Sequence, residues 1–100
     1  MSLTLDVKPF SFELTQPLRT SKGVLKTKQG WLLRIATSSG SCGWGEVSPI
    51  NPNELKLCSN LLQNLTKTTN RQALENGTLI WPGALAFGIG AALAELDGVV

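Results

Sequence analysis

The stretch Gly40–Pro52, "GSCGWGEVSPINP", sets two glycines around Trp44, ends a strand-like run near Glu46 and turns at once into a helix start. Asn51 offers an N-cap, Pro52 fills the first helical position and Glu54 stands third, as in a capping box. Upstream, Trp31–Thr37 and Cys42–Val47 read as two strands joined through the turn pair Ser39-Gly40. That turn sets Ile35 opposite Trp44 and Leu33 opposite Glu46, with Gly43 and Gly45 opposite Ala36 and Arg34. Trp31, Leu33, Ile35, Trp44 and Glu46 then share one face. Trp44 fills the core there, and Glu46 needs a partner. No second titratable group at fixed spacing accompanies Glu46, so it is expected to be a structural carboxylate, bonded to backbone where the chain turns.

Working back towards the N-terminus, Leu3, Leu5 and Val7 alternate on odd numbers, then Phe10, Phe12 and Leu14 on even ones. The switch falls at Lys8-Pro9 and predicts a bulge or kink, since one inserted residue turns every later side chain to the other face. Thr15–Lys28, "TQPLRTSKGVLKTK", reads as a long loop with a short extended stretch at Val24 and Leu25. Loops of that length in compact domains are lids or disordered segments.

Working forward, Leu55, Cys58, Leu61, Leu62 and Leu65 follow helical spacing and define a buried stripe. A shorter helix around Arg71–Asn76 is expected to stop at Gly77. A third, Pro82–Leu96, is apolar nearly all round, with Ala84, Gly88 and Ala92 stacked four apart so that a neighbour's backbone can come close. Its run of about 14 apolar residues falls short of the roughly 20 that cross a bilayer, so no membrane partner is expected. A helix with no polar face must be covered on all sides. This one therefore suggests that the chain is a piece of something larger. The elements add up to an α+β fold, a three-stranded antiparallel meander followed by a bundle of about three helices.

The 100 residues make one domain, 42% hydrophobic and 16% charged, with a net charge of +2. That balance is too weakly basic for a nucleic-acid partner. Arg19, Lys22, Lys26, Lys28 and Arg34 nevertheless follow one another with no acidic residue between them. They form either a solvated basic edge or a local field that attracts an anion, and composition does not choose between the two. Histidine is absent, which excludes Ser-His-Asp and Cys-His nucleophiles and His-ligated metals. Cys42 and Cys58 have no metal-binding spacing. With no signal-peptide pattern, they are expected to be reduced thiols in a cytoplasmic protein.

The order of strand, polar loop, hairpin ending in "GWGEVSPI" and apolar helix "LAFGIGAALAELDG" resembles the N-terminal capping domain of the enolase superfamily. With "LKTKQGWLLRI" added, it is most similar to the o-succinylbenzoate synthase family of that superfamily. The resemblance covers nearly the whole chain from about Leu5. It implies that residues 1–100 are a cap whose helix 82–96 leads towards a (β/α)8-type barrel, a unit of about 200–250 residues absent from this chain. It also implies Mg²⁺ and catalytic lysines held by that barrel, with no catalytic or metal-binding residue in the cap itself.

The implied activity is Mg²⁺-dependent elimination of water from a cyclohexadiene dicarboxylate, a step of menaquinone and phylloquinone biosynthesis. The cap would close two segments over the barrel mouth, "PLRTSKG" (17–23) and "SPINP" (48–52). Arg19, Thr20, Ser21 and Lys22 from the first and Ile50 from the second are then the expected contacts to an anionic dicarboxylate substrate. Lys26-Thr27-Lys28 copies the Lys-x-Lys pattern of the family's catalytic lysine. In the family that pattern lies on a barrel strand, so Lys26 and Lys28 are expected to be surface residues of the strand edge. A related dipeptide epimerase or N-succinylamino acid racemase cap, or a stand-alone non-catalytic α+β binding module, are the alternatives.

Overall fold

Ser2–Thr20 and Gly23–Thr37 form two long antiparallel strands, β1 and β2. The computed structural model describes residues 2–21, 23–65 and 67–98, without the side chains of Thr20 and Leu25. Cys42–Val47 (β3) pairs with β2, and Thr68–Asn70 (β4) pairs with β1, giving the sheet order β3-β2-β1-β4. Pro52–Asn64 (α1), Arg71–Thr78 (α2) and Gly83–Leu96 (α3) complete the chain. The expected meander and three helices are present, and β4 adds a short fourth strand. Its three polar residues, Thr-Thr-Asn, carry no apolar alternation that would mark them as a strand.

No kink occurs at Lys8-Pro9, because the β1–β2 register runs unbroken from Leu3↔Thr37 to Glu13↔Thr27. The change from odd to even apolar residues instead marks a change in which sheet face is covered. Leu3 and Leu5 are buried in the core, whereas Phe10 and Phe12 stack on the opposite face with ring centroids 5.8 Å apart. The irregularity comes later. Leu14, Thr15, Gln16 and Pro17 stand against the single residue Lys26, between the pairs Glu13↔Thr27 and Leu18↔Leu25. Pro17, which lacks a ladder donor, is accommodated in that bulge. Beyond it the strands pair again as far as Thr20↔Gly23, where Gly23 takes a φ of +129°. The loop expected over Thr15–Lys28 is therefore a two-stranded ribbon.

The β2–β3 hairpin differs from its sequence reading by one residue. Thr37 N donates to Ser41 O at 2.9 Å and Gly40 N donates to Thr37 O at 3.2 Å, with Gly40 at φ +96°. Three residues, not two, close this loop, as in a turn followed by a glycine bulge. The pairs become Ile35↔Gly43, Arg34↔Trp44, Leu33↔Gly45 and Leu32↔Glu46. A slip of one residue moves every side chain to the other face. Trp44 is thus half exposed, with the Arg34 guanidinium 6.0 Å from its ring, and does not fill the core. Gly43, Gly45 and Val47 face inward instead.

The inner face of β3 receives α3 at backbone distance. A Cβ on Gly45 would fall inside the Gly88 carbonyl, and one on Gly88 would lie 2.7 Å from Val47 Cγ2 and 2.8 Å from Glu46 O. A Cβ on Gly43 would meet the Ala92 carbonyl and stand 2.6 Å from Leu96 N. The small residues four apart in α3 do admit a neighbour, and the neighbour is β3. Leu85, Ile89, Ala92 and Leu93 carry the rest of the contact into a core shared with Leu33, Ile35, Val47, Cys58, Leu62 and Leu74.

The covering of α3 is one-sided. Phe87 remains 76% exposed, and a Cβ added at Gly83 or Gly90 would meet nothing within 4 Å. Gly77 does not stop α2. It is buried within the helix, where the Trp81 ring occupies the space its Cβ would need. No helix among the described residues is long and apolar enough to cross a membrane.

Candidate functional site

Val47 is the last residue clamped against α3, and Ser48, Pro49 and Ile50 lead from it to α1. Asn51 Oδ1 accepts the Asn53 N–H at 2.8 Å, as its N-cap role requires. Pro52 follows at the first helical position. These restraints hold the "SPINP" segment opposite the β1–β2 ribbon. Between the two lies a cavity of about 560 Å³, whose lining includes Leu14, Leu18, Ile50 and Leu55 together with Lys26 and Lys28. A second groove of about 470 Å³ shares Ser48, Pro49 and Ile50 and adds Ser21, Asn51, Glu54 and Ala84.

The residues expected to meet a ligand are distributed unevenly. Ile50 lines both hollows and is half exposed, and Ser21 joins it in the second. Arg19 is exposed on the ribbon opposite Val24 and lines neither. Thr20 pairs with Gly23 through its backbone. Its side chain, like Lys22 as a whole, lies outside the described residues. Lys26 and Lys28, read as surface residues of the strand edge, are exposed and partly exposed on the stretch of β2 that β3 does not reach, and they also line the cavity. Their spacing of two sets both side chains on one face of a strand.

The run of basic residues is partly neutralised. Arg34 pairs with Asp6 at 3.5 Å, and Lys28 Nζ lies 3.3 Å from Glu46 Oε2 and 6.0 Å from the centre of the Phe10 ring. Among the described residues no carboxylate pairs with Arg19 or Lys26. Glu46 therefore has a lysine as its partner, where a backbone bond was expected, because the register slip carries it to the Lys28 face. Its carboxyl is held below the ordinary value by the Ser48 hydroxyl first and by the Lys28 ammonium, against the opposing effect of burial. Ser48 Oγ is itself buried, with no hydrogen bond of good geometry formed.

Glu54 also departs from its expected role. Rather than closing a capping box on Asn51, its Oε1 accepts the Ala84 N–H at 3.0 Å. One turn on, burial pushes the Cys58 thiol up, the Glu54 charge adds to that, and the Leu85 backbone pulls the other way. Among the described residues no three His, Cys, Asp or Glu side chains come together as a metal site. These residues do not fit Mg²⁺, and no step runs through a metal here. What the cavity can do is hold a ligand with an apolar body among its aliphatic side chains, with the two lysines in its lining to meet an anionic group.

No family model matches the chain, and no curated protein sequence matches it. Solved structures do. An o-succinylbenzoate synthase from Thermosynechococcus elongatus BP-1, complexed with Mg in its active site, is 26% identical with a TM-score of 0.71, over 92% of this chain and 29% of its own. A mandelate racemase/muconate lactonizing protein from Herpetosiphon aurantiacus has a TM-score of 0.66 at 14% identity, over 93% of this chain and 29% of its own. A dipeptide epimerase from Cytophaga hutchinsonii, complexed with Mg and D-Ala-L-Val, has a TM-score of 0.63 at 22% identity, over 96% of this chain and 29% of its own. The latter two likenesses concern the fold alone. The chain spans under a third of the length of each of these proteins. Meander, clamped α3 and the facing ribbon and "SPINP" segment together make this the fold of an enolase-superfamily N-terminal cap.

Proposed function

We propose that this chain is the substrate-capping and specificity part of an o-succinylbenzoate synthase, a Mg²⁺-dependent carbon–oxygen lyase of cytoplasmic menaquinone or phylloquinone biosynthesis. The observation that carries the reading is the cavity in which the ribbon and "SPINP" face each other, with Lys26 and Lys28 beside Ile50 and Leu55. Its chemistry suits a dicarboxylate on an apolar ring. Likeness to the Thermosynechococcus synthase supports the choice of reaction. Metal and proton-transfer groups would come from a barrel domain, the cap's partner, so the 100 residues alone are inactive.

In this reading the ribbon tip, with Arg19, Thr20, Ser21 and Lys22, closes over the substrate. Ile50 supplies an apolar wall, and the closed cap keeps water from the reacting centre, where its absence strengthens every charge interaction. The test is a steady-state assay of the protein from its complete reading frame, with Mg²⁺, on the cyclohexadiene dicarboxylate. Elimination of water is the expected result. Epimerisation of dipeptides or racemisation of N-succinylamino acids in its place would assign the cap to a related enzyme. No turnover of any of these substrates would leave a stand-alone binding module.

A further inference from the structure

α3 begins without a cap of its own. Its N-cap residue is Pro82, whose ring has no acceptor, and no side-chain bond is made from that position. The first backbone N–H groups of a helix have no partner inside it, and a carboxylate is favoured beside them. Ala86 N finds the Pro82 carbonyl at 3.0 Å, but Ala84 N points out of the helix end to Glu54 Oε1. That oxygen belongs to the first turn of a different helix, 30 residues earlier in the chain. Three residues before Glu54 stands Asn51, the last link of the segment that carries Ile50. Glu54 and Ala84 also line the same groove as Ser48, Pro49, Ile50 and Ser21.

We infer that Glu54 is a positioning residue that caps α3 from α1 and so fixes the "SPINP" segment at a set distance from the β3–α3 clamp. Without it, α1 and the segment before it are joined to α3 by side-chain packing and by the Leu85 backbone at the Cys58 thiol, one turn further along α1. The groove wall then loses its fixed position while the sheet keeps its own. The effect on ligand binding rests on the capping role proposed above, whereas the effect on backbone protection does not.

The test is amide hydrogen exchange on the protein from its complete reading frame. In Glu54→Ala the amide of Ala84, and those of Asn53 and Leu55 that bond Asn51, should exchange about fivefold faster, the scale of a lost helix cap. The amides of Leu33 and Ile35 should be unchanged, and Glu54→Gln, which keeps the accepting oxygen, should stay near wild type. Ala84→Pro removes the donor while leaving Glu54 in place, is tolerated in a first helical turn, and should speed exchange at Asn53 and Leu55 in the same way. This second variant keeps the inference falsifiable should Glu54→Ala fail to fold. With the proposed substrate, KM should rise by a similar factor at unchanged kcat in Glu54→Ala and recover in Glu54→Gln. Unchanged protection of Asn53 and Leu55 in Ala84→Pro or in a folded Glu54→Ala overturns the inference, as does a Gln variant as loose as the Ala one. Altered protection without turnover would leave Glu54's role intact and count against the assigned reaction alone.

Discussion

The two halves of the β1–β2 hairpin share one ladder of backbone hydrogen bonds and almost nothing else. From Leu3↔Thr37 to Glu13↔Thr27 the strands keep a single register, and Leu3, Leu5, Leu33 and Ile35 are sealed beneath them. Past the bulge, Leu18 and Val24 are about half exposed and no member of the core lies below them. Side-chain burial fixes the first half, while turn chemistry and backbone pairing hold the second. A segment held by backbone alone can open locally at little cost.

That contrast can be broken by experiment. Leu33→Ala should cost about 3 kcal/mol in urea unfolding, as large-to-small changes in a closed core do. Gly45→Ala should cost about 2 kcal/mol, because its methyl group would need the place of the Gly88 carbonyl. Leu18→Ala and Val24→Ala should stay within about 0.5 kcal/mol. A ribbon substitution as costly as Leu33→Ala would show that the two halves are a single unit. The thiols sharpen the same contrast between packed and open positions. Cys42, partly exposed, should react with an alkylating reagent in the native protein, whereas fully buried Cys58, its thiol shifted up, should wait for unfolding.

A further small effect is electrostatic. Glu46 has a depressed folded-state pKa, so its contribution is present above the ordinary value of 4.5 and is lost as pH falls through the lower folded value. Glu46→Gln should remove that part of the acid dependence. With the side chains of Glu46 and Lys28 47% and 38% exposed, the change is at most about 1 kcal/mol.

What the sequence disclosed was local. Asn51-Pro52 starts α1 as read, and the apolar run ends as α3 within a residue of its expected limits. The small residues of α3 announced a close neighbour. What stayed hidden depended on a distant partner or on a single residue. One extra residue in the Ser38–Gly40 loop reverses both faces of β3, and no periodicity within β3 reveals it. The ribbon is polar and open on both sides, so it has no alternation to recognise. Glu54 had two helix ends within reach, and only tertiary structure selects the second. Of the residues expected at the site, Ile50 and Ser21 line the hollows, while Lys26 and Lys28 join the cavity only because 15–28 is strand and not loop.

The close seating of β3 on α3 has a mechanical consequence. Gly43, Gly45 and Gly88 remove the side-chain cushion that normally separates a sheet from a helix, so the two backbones bear on each other directly. Side chains can rotate to absorb a push, but carbonyl groups in hydrogen-bonded elements cannot. Val47 is therefore the end of a stiff beam, and Ser48–Asn51 is a short overhang with its next support at α1. A load applied at Ile50 would bend the overhang, leave the beam still and let the segment return to one rest position.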